Sequence, residues 1–592
     1  MSKVRLFLSA SLLSALALSL GACSTVSGSG SAPGAQAVGL RPAQAVGAKP
    51  PADDDASLYG LFLAGQAAMD DGKTELAADF FERASKREPG AIFLKERAFT
   101  AALVAGDVHR AATLAPGADE GSLSSQSLGR LARAADALAD GRGRESEAAL
   151  AGLTLSQPHR TAGLLLAPWT AAAAGDWKVA LTLPEAKGDR LVEQLSRLTQ
   201  AQLLERAKRY DEADAAFRAL MVDGDGLGVA TSAYAEFLLR RGRKADALAQ
   251  CDASLKGDPN NRTIRLIRDH ALANAPPPPM PTLAQGAAQS MLAPAAIFLA
   301  EKQPELGLAY LRLSLRLDPA RDEAWMLVGD TMASLGDAGT ARDSYRHVAT
   351  GSPDFVAARA RLIQTYDQPA DAPTVLALAQ DTVKAAPDDD DALALLADAL
   401  RASERYDESA KVMDTLMAHL GDKASWQAYY MRGIALDRSG HWPEAERDFR
   451  KALAIKPDES EVLNYLGFSW IDRGVKLEEA KAMVEKAVSA KPDSGAMVDS
   501  LGWAYYRLGD FSQAVEQLER AAELEPADPE INNHLGDAYW KVGRRIEARF
   551  QWEQVLGLSP EAKLKAEVEN KLKNGLGADG RPALPSPVVA TR

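Results

Sequence analysis

Side chains able to do chemistry are few in this chain, and their spacing does not suit catalysis. Its 592 residues include two cysteines and seven histidines. Cys23 and Cys251 cannot form a clustered zinc site, and two thiols cannot organise a disulfide framework. No two histidines stand at metal-ligand spacing on one helix, and the sequence has neither a Gly-x-Ser-x-Gly elbow nor a phosphate loop. Paired carboxylates fall only at surface helix positions. His534, after Asn532 and Asn533, is expected to pack or hydrogen-bond between helices rather than serve as a ligand or base. Cys251 is expected to be a buried small hydrophobe. The expectation is a chain that is not an enzyme and takes no cofactor and no metal. A formal charge of -13 argues against nucleic acid, whose phosphates need a basic face. The run Asp388 to Asp391 is read as a solvated turn and helix N-terminus.

Cys23 is different, because its neighbours give its thiol a use. Lys3 and Arg5 are followed by an apolar run, Leu6 to Leu20, of signal-peptide length. Then comes Leu20-Gly21-Ala22-Cys23. This order resembles the lipobox of bacterial lipoproteins. The resemblance implies a diacylglycerol on the Cys23 thiol, removal of residues 1–22, and attachment through acyl chains. Ser24 stands where Asp would retain an enterobacterial lipoprotein in the inner membrane. The resemblance therefore implies the outer membrane, with the body in the periplasm. No other stretch reads as long and apolar enough to span a bilayer. Losing residues 1–22 removes two positive charges and leaves -15. Residues 23–56 hold Gly, Ser, Ala and Pro with almost no large apolar side chain. They read as the lipidated cysteine plus a flexible tether, spanning roughly 30 Å on average.

The remaining length must be several domains or a repeat array, since 592 residues exceed a single core. Internal spacing decides for the array. Pro319, Pro353 and Pro387 recur every 34 residues, and Pro457, Pro492, Pro526 and Pro560 at 35, 34 and 34. Gly followed five residues later by Ala occurs independently, at Gly72-Ala77, Gly106-Ala111, Gly175-Ala180, Gly242-Ala247, Gly336-Ala341, Gly440-Ala445, Gly509-Ala514 and Gly543-Ala548. Gly can end a first helix in the left-handed conformation, Ala lets a second helix cross closely, and Pro ends the unit. Residues 57–275 and 283–574 read as two arrays, the second closed by a capping helix over 564–574. Seven clear units span about 322–563, one with an extra residue near Val475. The run 276–282 reads as a Pro-rich break, either a hinge or a long loop, and 575–592 as a disordered tail.

Leu501, Gly502, Tyr505, Ala514, Leu518, Ala521 and Pro526 make this pattern specific. So do Leu535, Gly536, Tyr539, Ala548, Trp552 and Pro560. They resemble the tetratricopeptide repeat. The resemblance implies an all-α, right-handed superhelix of helix–turn–helix units, with the first helix of each unit lining a concave, protein-binding face. Its inward residues would be Tyr430, Ile434 and Arg438; Asn464, Phe468 and Asp472; Asp499, Trp503, Tyr506 and Arg507; and Asn533, Asp537, Trp540 and Lys541. Aromatics beside hydrogen-bonding groups suit an extended peptide. The runs Leu463 to Gly467, Asp499 to Trp503 and Asn533 to Asp537 are similar to those of large bacterial tetratricopeptide lipoproteins. One such type is the adaptor that brings a periplasmic carboxy-terminal processing protease to peptidoglycan hydrolases. That resemblance implies a non-enzymatic adaptor; the alternative is a scaffold for envelope assembly, in outer-membrane protein insertion, division or polysaccharide export.

Overall fold

A computed structural model describes residues 56–117, 119–152, 155–185, 188–222 and 228–577. The expected signal peptide, Cys23 and most of the tether and tail lie outside these residues. The described residues are α-helices in succession, with two short 3-10 turns and no strand.

The glycine pattern has the expected cause. All eight glycines of the Gly–Ala pattern take positive φ, between +72° and +101°. The eight partner alanines are all buried. In four repeats an Asp directly follows that Gly and caps the second helix. Asp107, Asp176, Asp337 and Asp510 each accept the backbone N–H three residues on, at 3.0–3.1 Å. One dipeptide thus ends one helix and starts the next. The extra residue near Val475 is absorbed by two left-handed residues, Gly474 (φ +68°) and Lys476 (φ +49°). Where the sequence lacks Gly, Lys208, Lys302 and Glu404 take the same conformation.

Within a repeat the two helices touch. A Cβ on Gly433 would lie 2.6 Å from the Phe449 ring, and one on Gly536 2.5 Å from the Trp552 indole nitrogen. These spacings leave room for a hydrogen only, so the signature glycines are fixed by packing.

The described residues form two compact units, 56–367 and 368–577. The Pro-rich run 276–282 lies inside the first unit, so it does not mark the division between compact units. Of the seven expected repeats, the pair of helices Phe355–Gln364 and Ala372–Ala385 is shared out, one helix to each unit.

In the first unit, helices Leu283–Ala300 and Pro304–Leu317 do not simply begin a new array. They pack back on helices Ile92–Ala105, Leu123–Ala139 and Arg160–Ala174. Trp169 Nε1 donates to Ser290 Oγ at 3.0 Å, and the Trp169 ring fills the space a Cβ on Gly286 would need, 2.2 Å away. Arg312 Nε donates to the Val104 carbonyl at 3.1 Å, and Arg316 reaches Asp136 at 2.9 Å. Arg206 holds the Pro281 carbonyl at 2.9 Å, tying the Pro-rich run to the same unit. By length and composition Leu283–Ala300 could cross a bilayer, which corrects the reading that no stretch beyond the N-terminus could. Here it packs among the helices just named.

The second unit, 368–577, stacks regular pairs from Asp390 to Gly557 and ends in helix Ala562–Asn574, two residues longer at its start than expected. The strain at left-handed non-glycine positions is testable. Glu404→Gly should stabilise the second unit by up to about 1 kcal/mol, because relief of a left-handed Cβ clash exceeds glycine's entropy cost. Gly509→Ala, φ +87°, should destabilise it by about 1 kcal/mol. Chemical denaturation of the paired variants checks both signs.

Candidate protein-binding groove

The expected inward residues divide into two groups. Those of helices Trp426–Arg438, Ser460–Arg473 and Gly495–Leu508 form the first. Tyr430 is half-buried among Trp426, Phe449 and Tyr465, with ring centroids 6.0–6.3 Å away. Burial pushes its phenol above its ordinary pKa. Ile434 packs against the core, whereas Arg438 and Asp472 are exposed. Phe468 is half-buried. Asn464 is half-buried, and its side-chain oxygen is sealed from solvent with no hydrogen-bond partner among the described residues. A buried acceptor left unpaired costs about 1–3 kcal/mol. Arg507 donates to the Asp472 carbonyl at 2.9 Å and so bridges two successive repeats. Trp503 is stacked on both sides, on Tyr506 at 4.5 Å and on His534 at 4.1 Å. Tyr506 itself is buried and meets Phe511 edge-on.

The second group, expected to line an open groove, is covered by the chain's own end. Asn533 and Asp537 are buried under helix Ala562–Asn574. The Lys571 ammonium, 1% exposed, donates to Asn533 Oδ1 and Asp537 Oδ2, both at 2.8 Å, and reaches Glu567 at 2.6 Å. Trp552 Nε1 donates to the other Asp537 oxygen at 3.0 Å. Beyond the helix, Gly575 lies against the Trp540 ring, and the Gly577 carbonyl accepts from Lys541 at 3.2 Å. Asn533, Asp537, Trp540 and Lys541 therefore hold a terminal clamp. Asp499 joins it rather than facing a ligand: it is buried and accepts from His534 Nδ1 at 2.9 and 3.0 Å. The sequence placed a cap here but gave no sign that Lys571 would bury its charge. Long lysines more often leave their heads in water.

His534 works as expected, between helices. Burial alone would lower its pKa, but Asp499 more than reverses this and the imidazole is pushed up to about 9. The groups facing it are Asp499 from helix Gly495–Leu508 and Glu530 and Asp537 from its own helix. Lys571 from the terminal helix neutralises Asp537.

Two clusters in the first unit resemble chemistry. Ser124 Oγ lies 2.9 Å from His159 Nε2, and His159 Nδ1 lies 2.7 Å from the Tyr310 hydroxyl. Burial holds His159 down to about 4, so the imidazole stays neutral and is a weak base for a hydroxyl. The chain of bonds ties helix Pro304–Leu317 to the segment before helix Arg160–Ala174. His109, Asp136 and Asp140 lie close enough to share an ion. Arg142 and Arg316 already place guanidiniums on both carboxylates, so the cluster carries no surplus negative charge. Cys251 is wholly buried, as expected.

Known families match two stretches of the second unit. Residues 426–459 match the model described as "Tetratricopeptide repeat", and residues 502–543 the one described as "TPR repeat". No curated protein sequence matches the chain. Among solved structures, the APC/C hetero-tetramer Cut9-Hcn1 is similar at 16% identity and a TM-score of 0.36, over 87% of this chain and 96% of that one. A tetratricopeptide repeat protein from Parabacteroides merdae is similar at 14% and 0.37, over 43% and 97%. Pseudomonas aeruginosa pilF is similar at 18% and 0.28, over 31% and 82%.

The clamp makes two predictions. Lys571→Met leaves Asp537 buried and uncompensated and should destabilise the second unit by about 3–5 kcal/mol in chemical denaturation. His534 has a folded pKa above its ordinary value, so its contribution is complete below about pH 6.5 and is lost as pH rises through about 9. The stability of the wild-type protein should fall across that window, and His534→Gln should flatten the fall. The described residues are thus an all-α array of tandem helix pairs, and residues 426–459 and 502–543 within it are similar to the tetratricopeptide repeat, a fold that generally mediates protein–protein interaction.

Proposed function

We propose that this chain is a non-enzymatic scaffold that binds proteins in the groove of repeats 426–508. The carrying observation is the set of inward residues there that the terminal helix does not cover: half-buried Phe468 and exposed Arg438 and Asp472, beside Trp503, whose ring is held between Tyr506 and His534. Aromatic surface supplies contact area, and exposed charged side chains grip the polar groups of an extended peptide. Arg438 and Asp472 supply exposed charges of both signs.

The lipobox-like Leu20 to Cys23 supports attachment through Cys23 to the outer membrane, with the repeats in the periplasm. In that setting the function is an adaptor. It brings a carboxy-terminal processing protease together with peptidoglycan hydrolases and raises their local concentration on one scaffold. The resemblance of the Leu463 to Gly467, Asp499 to Trp503 and Asn533 to Asp537 runs to those of large bacterial tetratricopeptide lipoproteins, one type of which is such an adaptor, supports this choice.

The test is purification of the native protein from mildly solubilised envelopes, with mass spectrometry of what accompanies it. A processing protease together with cell-wall hydrolases is expected, and both should be reduced about tenfold or more by Phe468→Ala with Trp503→Ala, as for two central aromatic anchors. Recovery of an envelope-assembly complex without a protease would replace the adaptor with an assembly scaffold. Labelled palmitate incorporated by the wild type and not by Cys23→Ser checks the anchor.

A further inference from the structure

The first two repeats carry an apolar face that packing among the described residues leaves open. Helix Leu58–Asp70 has no charged side chain before its last residue. Tyr59 is 71% exposed and Leu63, one turn on, 46%. From the next repeat, Phe93 is 55% exposed and Ile92 41%. Half-buried Phe62 joins the two helices, with its ring 5.9 Å from Phe93 and 5.9 Å from the buried Phe81. The patch is therefore continuous and rooted in the core. Tyr59 and Phe93 stand 34 residues apart, at the same register of successive repeats.

Position says what covers it. The face begins three residues after the segment 23–56, the stretch of chain that joins it to Cys23 and whose Gly, Ser, Ala and Pro composition reads as a tether. A bilayer holding the Cys23 acyl chains would be within reach of this end of the protein throughout. Side chains that suit a membrane interface are aromatic rings beside aliphatic ones, and here they stand on the charge-free first helix and on the first turn of helix Ile92–Ala105, ahead of Lys95, Glu96 and Arg97. A second copy is a poorer occupant, since each mature chain carries -15.

We propose that Tyr59, Leu63, Ile92 and Phe93 form a membrane-contact face, inserting into the headgroup boundary of the bilayer to which the chain is tethered. This rests on the lipid-anchor reading. The contact fixes the orientation of the first repeat, so the tether limits distance while the face sets direction. Because the contact is apolar, salt does not weaken it; salt only screens the repulsion between the acidic chain and anionic headgroups.

The mature chain from residue 23, carrying Cys23→Ser so that no acyl chain can form, is floated with vesicles of phosphatidylethanolamine and phosphatidylglycerol. It is expected to float, and at high salt at least as well as at low salt, whereas loss of flotation at high salt would mark an electrostatic contact instead. Combined Tyr59→Ser, Leu63→Ser and Phe93→Ser should lower the bound fraction about tenfold, with helicity unchanged. In the same background, an environment-sensitive dye on Tyr59→Cys should shift to the blue when vesicles are added. The same dye on Ile546→Cys, 84% exposed in the other unit, should not. Buried Cys251 does not compete for label. A Cys23→Ser chain that fails to float overturns the proposal. So does a dye shift at residue 59 without vesicles that grows with protein concentration, which would assign the face to a second copy. Palmitate labelling of wild-type Cys23 reads the anchor separately, so either idea can fail without the other.

Discussion

Everything in this fold depends on how closely the two helices of a repeat cross. At Gly433 and Gly536 the partner ring or indole sits where a Cβ would be, so contact is made at backbone distance. That contact puts Phe449 and Trp552 wholly in the core and turns the opposite side of each first helix inward. The left-handed glycine that follows the helix, and the Asp that caps the next, keep the crossing in register from repeat to repeat. A solenoid built this way has no single core. Its stability is a sum of intrinsic and nearest-neighbour terms, and its inner faces remain to be used or covered.

Much of that inner surface is used by the chain itself. In the first unit, Leu283–Ala300 and Pro304–Leu317 pack on the preceding helices through Trp169, His159, Asp136 and Arg312. In the second, residues 562–577 cover Asn533, Asp537, Trp540 and Lys541. Both coverings place charged or polar groups in buried, fully bonded settings, which specifies where a helix docks more sharply than apolar contact alone. Among the described residues, Arg438, Phe468 and Asp472 of the repeats at 426–508 stay clear of any such covering.

The repeat was legible in the sequence because its marks are backbone requirements. Gly72, Gly106, Gly175, Gly242, Gly336, Gly440, Gly509 and Gly543 all do what their spacing implies, and Ala77 and its seven counterparts are buried as expected. Repeats ended by Lys208, Lys302 or Glu404 were harder to read, since a strained lysine or glutamate leaves no signature. The groove was legible as a register and not as a surface. Periodicity says that Asn533 and Asp537 face inward, but not that Lys571, thirty-four residues after Asp537, folds back to meet them. The return of residues 283–317 onto earlier helices was equally hidden, because Trp169, Tyr310 and Arg312 look like ordinary helix residues until the helices are placed. The open face at Tyr59 and Phe93 had a sequence sign: a charge-free first helix with aromatics one repeat apart.

Site-specific photocrosslinking in intact cells tests most directly whether repeats 426–508 form a protein-binding groove. A photoreactive amino acid is placed at Phe468, in the uncovered groove, and in a second strain at Asp537, under the terminal helix. The groove assignment predicts a discrete protein adduct from position 468, lost when Trp503 is changed to Ala, and none from position 537. An adduct from 537 with none from 468 would contradict it, and would mean that the terminal helix lifts away to expose the true binding surface.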